Sequence, residues 1–202
     1  MIVSVLPAVA IIAACYVIGS IPTAYLVVKK IKGIDIRTVG SGNVGASNAA
    51  RVLGKWGFIG VLFVDMMKGF IPVFVIKHFY GEGWIVLIGA VAVIIGHSFT
   101  CFLKFKGGKG VATGVGVFLA LAPFQLLVAA VIFGIMLAVF QIVSIGSVTA
   151  AAFLAVMVWF TSEWDHLRYI TVVIALLIIW LHRGNIARMV RGEERRIGKR
   201  TP

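Results

Sequence analysis

Charged residues are scarce in this chain. They make up 13% of its 202 residues, where about 25% is usual for a soluble domain, and 61% of the residues are hydrophobic. So little polar surface cannot cover a soluble globule, and the lipid bilayer must therefore solvate most of the chain. The composition predicts an all-α membrane protein.

Acidic residues are the rarest charged class, with 7 against 19 lysines and arginines and a net charge of +12. This basic excess favours contact with membrane lipid that is anionic, or with an anionic substrate. It does not indicate nucleic acid as a partner, because most of the chain is apolar. Cysteine is scarce too: Cys15 and Cys101 lack the spacing of metal ligands or of a disulfide framework. We predict no metal and no cofactor.

The apolar segments predict several membrane-spanning helices. Residues 3–28, 57–76, 84–103 and 167–182 each supply about the 20 apolar residues that a crossing requires. The first lacks the basic start of a signal peptide and continues beyond residue 20, so we interpret it as an uncleaved span. The run 111–160 has no charged residue and is too long for one crossing.

The distribution of lysine and arginine predicts the orientation. Basic residues concentrate in 29–56, 104–110 and 183–202, whereas 77–83 and 161–166 are acidic or sparse. The positive-inside rule places the first three segments in the cytoplasm. The sequence thus predicts a multi-pass membrane protein with its N-terminus outside, its C-terminus inside and its basic segments on the cytoplasmic side.

The charge-free run must then begin inside and end outside, which requires an odd number of crossings. Three crossings of roughly 17 residues each fit its length. Pro123 and the segment 144–147 are the natural breaks. We therefore expect seven transmembrane helices in a single domain, 1–202, with a short span at 111–122 that is tilted or partly re-entrant.

The first candidate site is a glycine-rich stretch in the first cytoplasmic segment. Glycines let the backbone approach a ligand closely, and successive N–H groups can bind an anion. Asparagines add neutral donors, and arginine adds a fork suited to phosphate. The alternative is a flexible connector. The candidate phosphate-binding residues are Ser41, Gly42, Asn43, Gly45, Asn48 and Arg51.

The second candidate site is the Gly-Gly-Lys-Gly sequence at 107–110, just before an apolar helix. Backbone donors, a lysine and a helix N-terminus together favour phosphate, although the spacing is not that of a Walker A motif. The alternatives are a glycine turn with a topological lysine and, for the nearby histidine, a packed interfacial residue. The candidate substrate-binding residues are His97, Gly107, Gly108 and Lys109.

The third candidate site lies at the inner end of the last span. If the helix continues there, His182, Asn185 and Arg188 share one face. A basic stop-transfer end is the alternative, but it does not explain the histidine and asparagine. Ser147, near a predicted inner turn, is a further catalytic candidate beside the alternative of a turn serine. Asp65 and Lys68 are spaced i, i+3 within a span, which predicts a structural ion pair.

These motifs together resemble a known family. The pattern runs G-S-G-N-x-G-A-x-N-x-x-R, then G-H-x-F with F-K-G-G-K-G-V-A-T, then H-R-x-N-I-x-R with a G-x-E tail. In this order it is similar to the bacterial integral-membrane acyl-phosphate:glycerol-3-phosphate acyltransferases, from about residue 16 to about residue 196. The resemblance implies a seven-span fold and a structural role for Glu194.

The resemblance also implies the reaction. Acyl phosphate would donate a fatty acyl group to the sn-1 hydroxyl of glycerol 3-phosphate, giving lysophosphatidic acid and phosphate in the first step of phospholipid synthesis. Ser41, Arg51 and Lys109, with the Gly42 and Gly108 amides, are expected to bind phosphate. His182 and Asn185 are expected at the reacting centre. Either His182 or the donor phosphate could accept the proton.

Other classes of function remain to be weighed against this enzyme. A transporter or channel for an organic phosphate would place charges at the midplane of several spans. Here the intramembrane charges are confined to Asp65 and Lys68. A scaffold for anionic lipid would leave the ordered glycine and asparagine motifs unexplained. The sequence leaves open the oligomeric state and whether a soluble acyl-phosphate synthase docks on the protein.

Overall fold

A computed structural model describes residues 5–197, and within them every regular element is a helix. The chain divides into two compact units, Met1–Leu121 and Ala122–Pro202. The first holds α1 Val5–Ser20, α2 Thr23–Lys32, α3 Ala46–Tyr80, α4 Trp84–Ser98 and α5 Val111–Leu121, with 3-10 turns at Ile36–Thr38 and Cys101–Leu103. The second holds α6 Pro123–Phe140, α7 Val143–Thr161, α8 Asp165–Leu181 and α9 Arg183–Val190. The start of the first predicted span, 3–4, and the last tail cations, Lys199 and Arg200, lie outside the described residues.

Five helical segments of the described chain are long and apolar enough to cross a membrane. A sixth arises if α8 and α9, which are bent by 56° at their junction, count as one span. The prediction of an all-helical membrane protein is confirmed at this level. Helix α5 has only 11 residues, or about 16 Å at 1.5 Å per residue, and it matches the predicted short segment.

The first span differs from its prediction. We expected one continuous helix over 3–28, but the structure has a break at Ile21 and Pro22 and continues to Lys32. Proline has no N–H to donate and fixes its own φ, so it ends the first helix and starts the second. The unbroken apolar run hid this break, because hydrophobicity carries no information on where the backbone hydrogen bonds stop.

The second span is also longer than predicted. Residues up to 56 were expected in a cytoplasmic loop, yet α3 begins at Ala46. It is kinked at Gly54, whose φ of 71° is left-handed. The polar stretch 46–53 is therefore a helical segment with its own direction, and it carries Arg51 and Asn48.

Glycines bring the helices of the first unit into close contact. A Cβ on Gly96 of α4 would lie 2.2 Å from the Tyr16 carbonyl oxygen of α1, and one on Gly69 of α3 would lie 2.2 Å from the Thr113 carbonyl oxygen of α5. Small residues allow such approaches between membrane helices, where packing rather than the hydrophobic effect holds helices together. These contacts hold the C-terminal end of α4 and the start of α5 in place.

The breaks in the charge-free run are partly as predicted. Pro123 begins α6, which confirms the first break. The second break lies at Gln141 and Ile142, not at 144–147, so that prediction is wrong by about one helical turn. Gln141 ends α6 with a left-handed φ of 59°. Ser147 lies inside α7, where its hydroxyl donates to the Val143 carbonyl at 3.0 Å, a bond that is compatible with helix.

Candidate functional site

The glycine-rich loop before α3 is held by one buried side chain. Asn48 accepts a hydrogen bond from the Ser41 amide at 2.9 Å and donates to the carbonyls of Ile36 at 3.1 Å and Val39 at 3.0 Å. A Cβ on Gly40 would lie 2.1 Å from the Asn48 side-chain oxygen. Asn48, a predicted phosphate-binding residue, thus uses its amide to shape the loop itself.

The backbone amides of the predicted anion site are directed into the protein. The Gly42 amide donates to the Val39 carbonyl at 3.0 Å, and the Asn43 amide is 3.4 Å from the Ser41 hydroxyl. The Gly42 amide is therefore engaged within the loop, and its contact with a phosphate stays a prediction. The loop instead presents side chains: Ser41 is exposed, and Asn43 and Gly45 are half-buried. Arg51 is exposed too, on the helix that follows.

Two backbone amides of the Gly107–Gly110 loop are also engaged within the protein. The Gly107 amide donates to the Ser98 carbonyl at 3.0 Å, and the Gly108 amide donates to the His97 carbonyl at 3.1 Å. These two amides fasten the loop to the end of α4, and phosphate binding by Gly107 and Gly108 stays a prediction. The first turn of α5, which starts at Val111, directs its N–H groups towards the loop, as every helix N-terminus does.

A buried polar cluster joins three helices of the first unit. Asp65 of α3 forms an ion pair with Lys68 at 2.7 Å and accepts a hydrogen bond from the Thr23 hydroxyl of α2 at 2.9 Å. Lys68 also donates to the Ile21 carbonyl at 2.8 Å, at the break between α1 and α2, where the same oxygen accepts from the Thr23 amide at 3.0 Å. The predicted ion pair is present, and it stabilises the break.

His97 belongs to this cluster. Its side chain is buried, with 7% of its surface exposed, and its Nδ1 atom lies 3.8 Å from the Asp65 carboxylate. Its Nε2 atom lies against Gly108, so close that a Cβ built on that glycine would be 2.1 Å from it. These contacts of the imidazole are with protein; a phosphate-binding role for His97 stays a prediction.

His182 lies at the bend between α8 and α9. The helix bends at this residue, so the condition under which His182 was expected to share a face with Asn185 and Arg188 is not met, although Asn185 and Arg188 both lie on α9. Its Nδ1 atom is 2.8 Å from the Ile178 carbonyl oxygen. A carbonyl only accepts, so Nδ1 carries the proton, and Nε2 is the acceptor nitrogen of the neutral ring. A backbone carbonyl thus orients the imidazole.

Glu194 organises the rest of this motif. Its carboxylate accepts from the Asn185 amide at 2.5 Å, from the Ser144 hydroxyl at 2.7 Å and from the Arg188 guanidinium at 2.7 Å. Side-chain exposure of Glu194 is only 9%. Burial by itself raises the pKa of this carboxyl, but the hydrogen bonds from Ser144, Asn185 and Arg188 outweigh burial and lower the pKa below its usual range.

Sequence reasoning missed some of these partners. Ser144, not Ser147, joins the carboxylate of Glu194, and Thr23 is a partner of Asp65. A signal for Ser144 existed, because it precedes Ser147 by three residues and so lies on the same face of α7. Thr23 carried no signal beyond its place after Pro22.

Comparison with known proteins identifies a family with similar sequences. The family model described as "Glycerol-3-phosphate acyltransferase" matches residues 9–192. A glycerol-3-phosphate acyltransferase of Geobacter metallireducens is 48% identical over 187 residues, which cover 92% of this chain and 95% of that protein. One of Prochlorococcus marinus (strain MIT 9312) is 42% identical over 191 residues, or 94% and 97% of the two chains.

Solved structures of an integral membrane protein show the same fold. They are crystal structures of the glycerol 3-phosphate acyltransferase PlsY, in its glycerol 3-phosphate form and in its lysophosphatidic acid form. The first superposes with a TM-score of 0.91 and the second with 0.86, each at 37% sequence identity. Both matches cover 95% of this chain and 96% of that protein.

Proposed function

The chain belongs to the glycerol-3-phosphate acyltransferase family, and we propose that it transfers a fatty acyl group from acyl phosphate to the sn-1 hydroxyl of glycerol 3-phosphate. The products are lysophosphatidic acid and inorganic phosphate. The observation that carries this proposal is the similarity, over nearly the whole chain, to a protein crystallised in forms with glycerol 3-phosphate and with lysophosphatidic acid.

Phosphate binding falls to side chains at the ends of the two glycine loops. Because the amides of Gly42, Gly107 and Gly108 are engaged within the protein, we assign the anion contacts to Ser41, Arg51 and Lys109. The first-turn amides of α5 add donors beside Lys109, with the positive end of the helix dipole. Arginine offers a planar fork to a phosphate, whereas lysine offers a compact point charge.

His182 and Asn185 act at the reacting centre. The substrate hydroxyl attacks the acyl carbonyl, and the bond between that carbon and the phosphate oxygen breaks. Asn185 is suited to hydrogen-bond the oxyanion or to orient the hydroxyl, because Glu194 fixes its amide. Ser147, whose hydroxyl is bonded to its own helix, is the weakest of the predicted catalytic residues.

The proton of the attacking hydroxyl passes to a phosphate oxygen of the donor in this scheme. Acyl phosphate is an activated mixed anhydride, so its leaving group needs no protein acid and the reaction needs no covalent intermediate. The Ile178 carbonyl contacts Nδ1 of His182 at 2.8 Å and so orients the ring, and a neutral oxygen stabilises an imidazolium less than a carboxylate does. His182 then serves as a hydrogen-bonding partner rather than as the general base.

We infer that the chain crosses the bacterial cytoplasmic membrane seven times. Helix α5 is too short to cross the membrane alone. The Gly107–Gly110 loop, however, is fastened to the end of α4, which has only 15 residues, so the loop begins within the bilayer and not at its cytoplasmic surface. At the other end of α5, the Ala120 carbonyl is 3.5 Å from the Lys77 ammonium, near the end of α3. A recessed loop followed by a short helix therefore completes one crossing.

Cysteine labelling tests the topology in a Cys15→Ser/Cys101→Ser background. Lys30→Cys replaces an exposed residue near the end of α2, and Glu82→Cys replaces an exposed residue just after the end of α3. The proposed topology places these two positions on opposite sides of the membrane. A membrane-impermeant maleimide added to intact cells should modify the cysteine at 82 and spare the one at 30 until the cells are lysed. Modification of the cysteine at 30 in intact cells would refute the proposed orientation.

An assay in detergent tests the function. Purified protein given glycerol 3-phosphate and palmitoyl phosphate should form lysophosphatidic acid and release one phosphate per acyl chain, whereas palmitoyl-CoA and acyl carrier protein thioesters should give none. A transporter of organic phosphate would need a sealed vesicle and would form no lipid. Absence of product from a folded, monodisperse sample would overturn the proposal. Co-purification with a soluble acyl-phosphate synthase is a separate question, answered by pull-down.

A further inference from the structure

His97 contacts the Gly107–Gly110 loop through both its main chain and its side chain. Its carbonyl accepts the Gly108 amide at 3.1 Å, and the next carbonyl, of Ser98, accepts the Gly107 amide at 3.0 Å. The ring then lies against the loop from the side. A Cβ built on Gly108 would be 2.1 Å from the His97 Nε2 atom and 2.8 Å from its Cε1 atom.

The other ring nitrogen, Nδ1, faces a fixed carboxylate. The His97 Nδ1 atom is 3.8 Å from the Asp65 Oδ1 atom, which is beyond hydrogen-bond distance but close enough to orient the imidazole dipole. That oxygen is itself held by the Lys68 ammonium at 2.7 Å and by the Thr23 hydroxyl at 2.9 Å. A continuous set of contacts thus runs from the break at Ile21 through Asp65 to the loop.

We infer that His97 is a positioning residue for this loop. Its ring, oriented by Asp65, sets where Gly108 lies and therefore where the neighbouring Lys109 side chain and the start of α5 lie. The inference rests on the proposed function, in which Lys109 binds a substrate phosphate. It differs from direct phosphate binding by His97, because the ring is buried between a carboxylate and the loop backbone.

The two glycines of the loop offer a matched pair of tests. Gly108→Ala places a methyl group against the imidazole of His97, which a smaller residue at 97 can relieve. Gly107→Ala places a methyl group 2.1 Å from the His97 carbonyl oxygen and 2.9 Å from the Ser98 carbonyl oxygen. No change of side chain at 97 can relieve that backbone clash.

His97→Asn is the relieving variant. Asparagine keeps a polar group near the position of Nδ1, facing Asp65, and lacks the Nε2 and Cε1 atoms that would meet the new methyl group. The experiment compares wild type, Gly108→Ala, His97→Asn, His97→Asn/Gly108→Ala, Gly107→Ala and His97→Asn/Gly107→Ala. For each, the assay gives KM for glycerol 3-phosphate and for palmitoyl phosphate, together with kcat, and thermal unfolding in detergent gives Tm.

We expect Gly108→Ala to raise KM for at least one of the two substrates by about 10–100-fold, with a smaller change in kcat, because a displaced loop misplaces Lys109. His97→Asn/Gly108→Ala should recover most of that KM and the Tm of the His97→Asn protein. His97→Asn/Gly107→Ala should be no better than Gly107→Ala alone.

Equal rescue of both glycine variants, or rescue of neither, would overturn the inference. If His97→Asn does not fold, Asp65→Asn decides: it keeps the shape of the side chain, and an unchanged KM for both substrates in the folded variant would overturn the role of Asp65 in orienting the ring. Failure of the proposed function looks different, because the wild-type protein itself would then give no lipid product, while the Tm values would still report the contact between His97 and Gly108.

Discussion

The Gly107–Gly110 loop of the first unit and the 182–194 segment of the second hold polar groups in place by different means. The loop is fastened by backbone hydrogen bonds and by a ring packed against a glycine. The segment is fastened by the Glu194 carboxylate, which accepts from Ser144, Asn185 and Arg188. The first arrangement should therefore be sensitive to added volume, and the second to the loss of one charge.

The largest effect should come from Glu194→Ala. The change removes the acceptor shared by Ser144, Asn185 and Arg188. Ser144 and Asn185 are buried, and a buried donor that loses its acceptor costs about 1–3 kcal/mol, whereas Arg188 is 43% exposed and loses less. A total of about 3 kcal/mol would lower Tm in detergent by roughly 6–12 °C for a protein of this size. Glu193→Ala is the matched control, since its carboxylate pairs with Arg191 and is 56% exposed. It should change the stability by less than about 1 kcal/mol. Equal losses in the two variants would contradict the comparison.

Lys109→Ala should act on substrate binding rather than on stability. Loss of a charged hydrogen bond costs about 1.5–3 kcal/mol, which corresponds to a rise in apparent KM of roughly 10–150-fold. Lys106→Ala removes a positive charge from an exposed position in the same segment between α4 and α5, and it should leave KM within about 3-fold of the wild-type value. Arg51→Ala should resemble Lys109→Ala. Steady-state kinetics with an unchanged KM for both substrates would remove Lys109 from the phosphate site.

Acid should weaken the Glu194 arrangement specifically. Its pKa is lower in the folded protein than the usual value of about 4.3, so the ionised carboxylate contributes stability that is complete above that value. This stability is lost as the pH falls through the folded pKa. The difference in Tm between wild type and Glu194→Gln should therefore be constant from about pH 7 to pH 5 and shrink below about pH 4. A difference that persists unchanged into stronger acid would contradict the lowered pKa.

The sequence predicted the features that depend on residue type and spacing. Pro123 marked the start of α6 because proline suits the first turn of a helix. Asp65 and Lys68 formed an ion pair because isolated charges within the bilayer are costly. The glycine motifs also marked the loops of the candidate site.

The sequence could not predict the direction in which a donor group or a helix points. A glycine amide looks the same in a sequence whether it faces a ligand or the protein's own carbonyl, so the inward donation by Gly42 and Gly108 was hidden. The sequence also did not show that the helix would bend at His182, two residues before Gly184, or that Ser144, on the same face of α7 as Ser147, would be the serine that contacts Glu194.

The Gly107–Gly110 loop and the 182–194 segment share one property. Each holds its polar groups in place through contacts within its own unit. Asp65 faces His97 within the first unit, and the Ile178 carbonyl faces His182 within the second. The reaction should therefore proceed by positioning, with the donor phosphate as the proton acceptor.

A pH–rate series on wild type, His182→Gln and His182→Asn at saturating substrates tests this claim most directly. Asparagine serves as the matched control, because its shorter amide can keep a donor near the Ile178 carbonyl. We predict that His182→Gln lowers kcat by less than about 10-fold, raises KM and keeps the wild-type dependence of rate on pH. A fall in kcat of roughly 10²–10⁴-fold at unchanged KM, in a folded variant whose rate no longer rises through the histidine pKa, would contradict it and make His182 the general base.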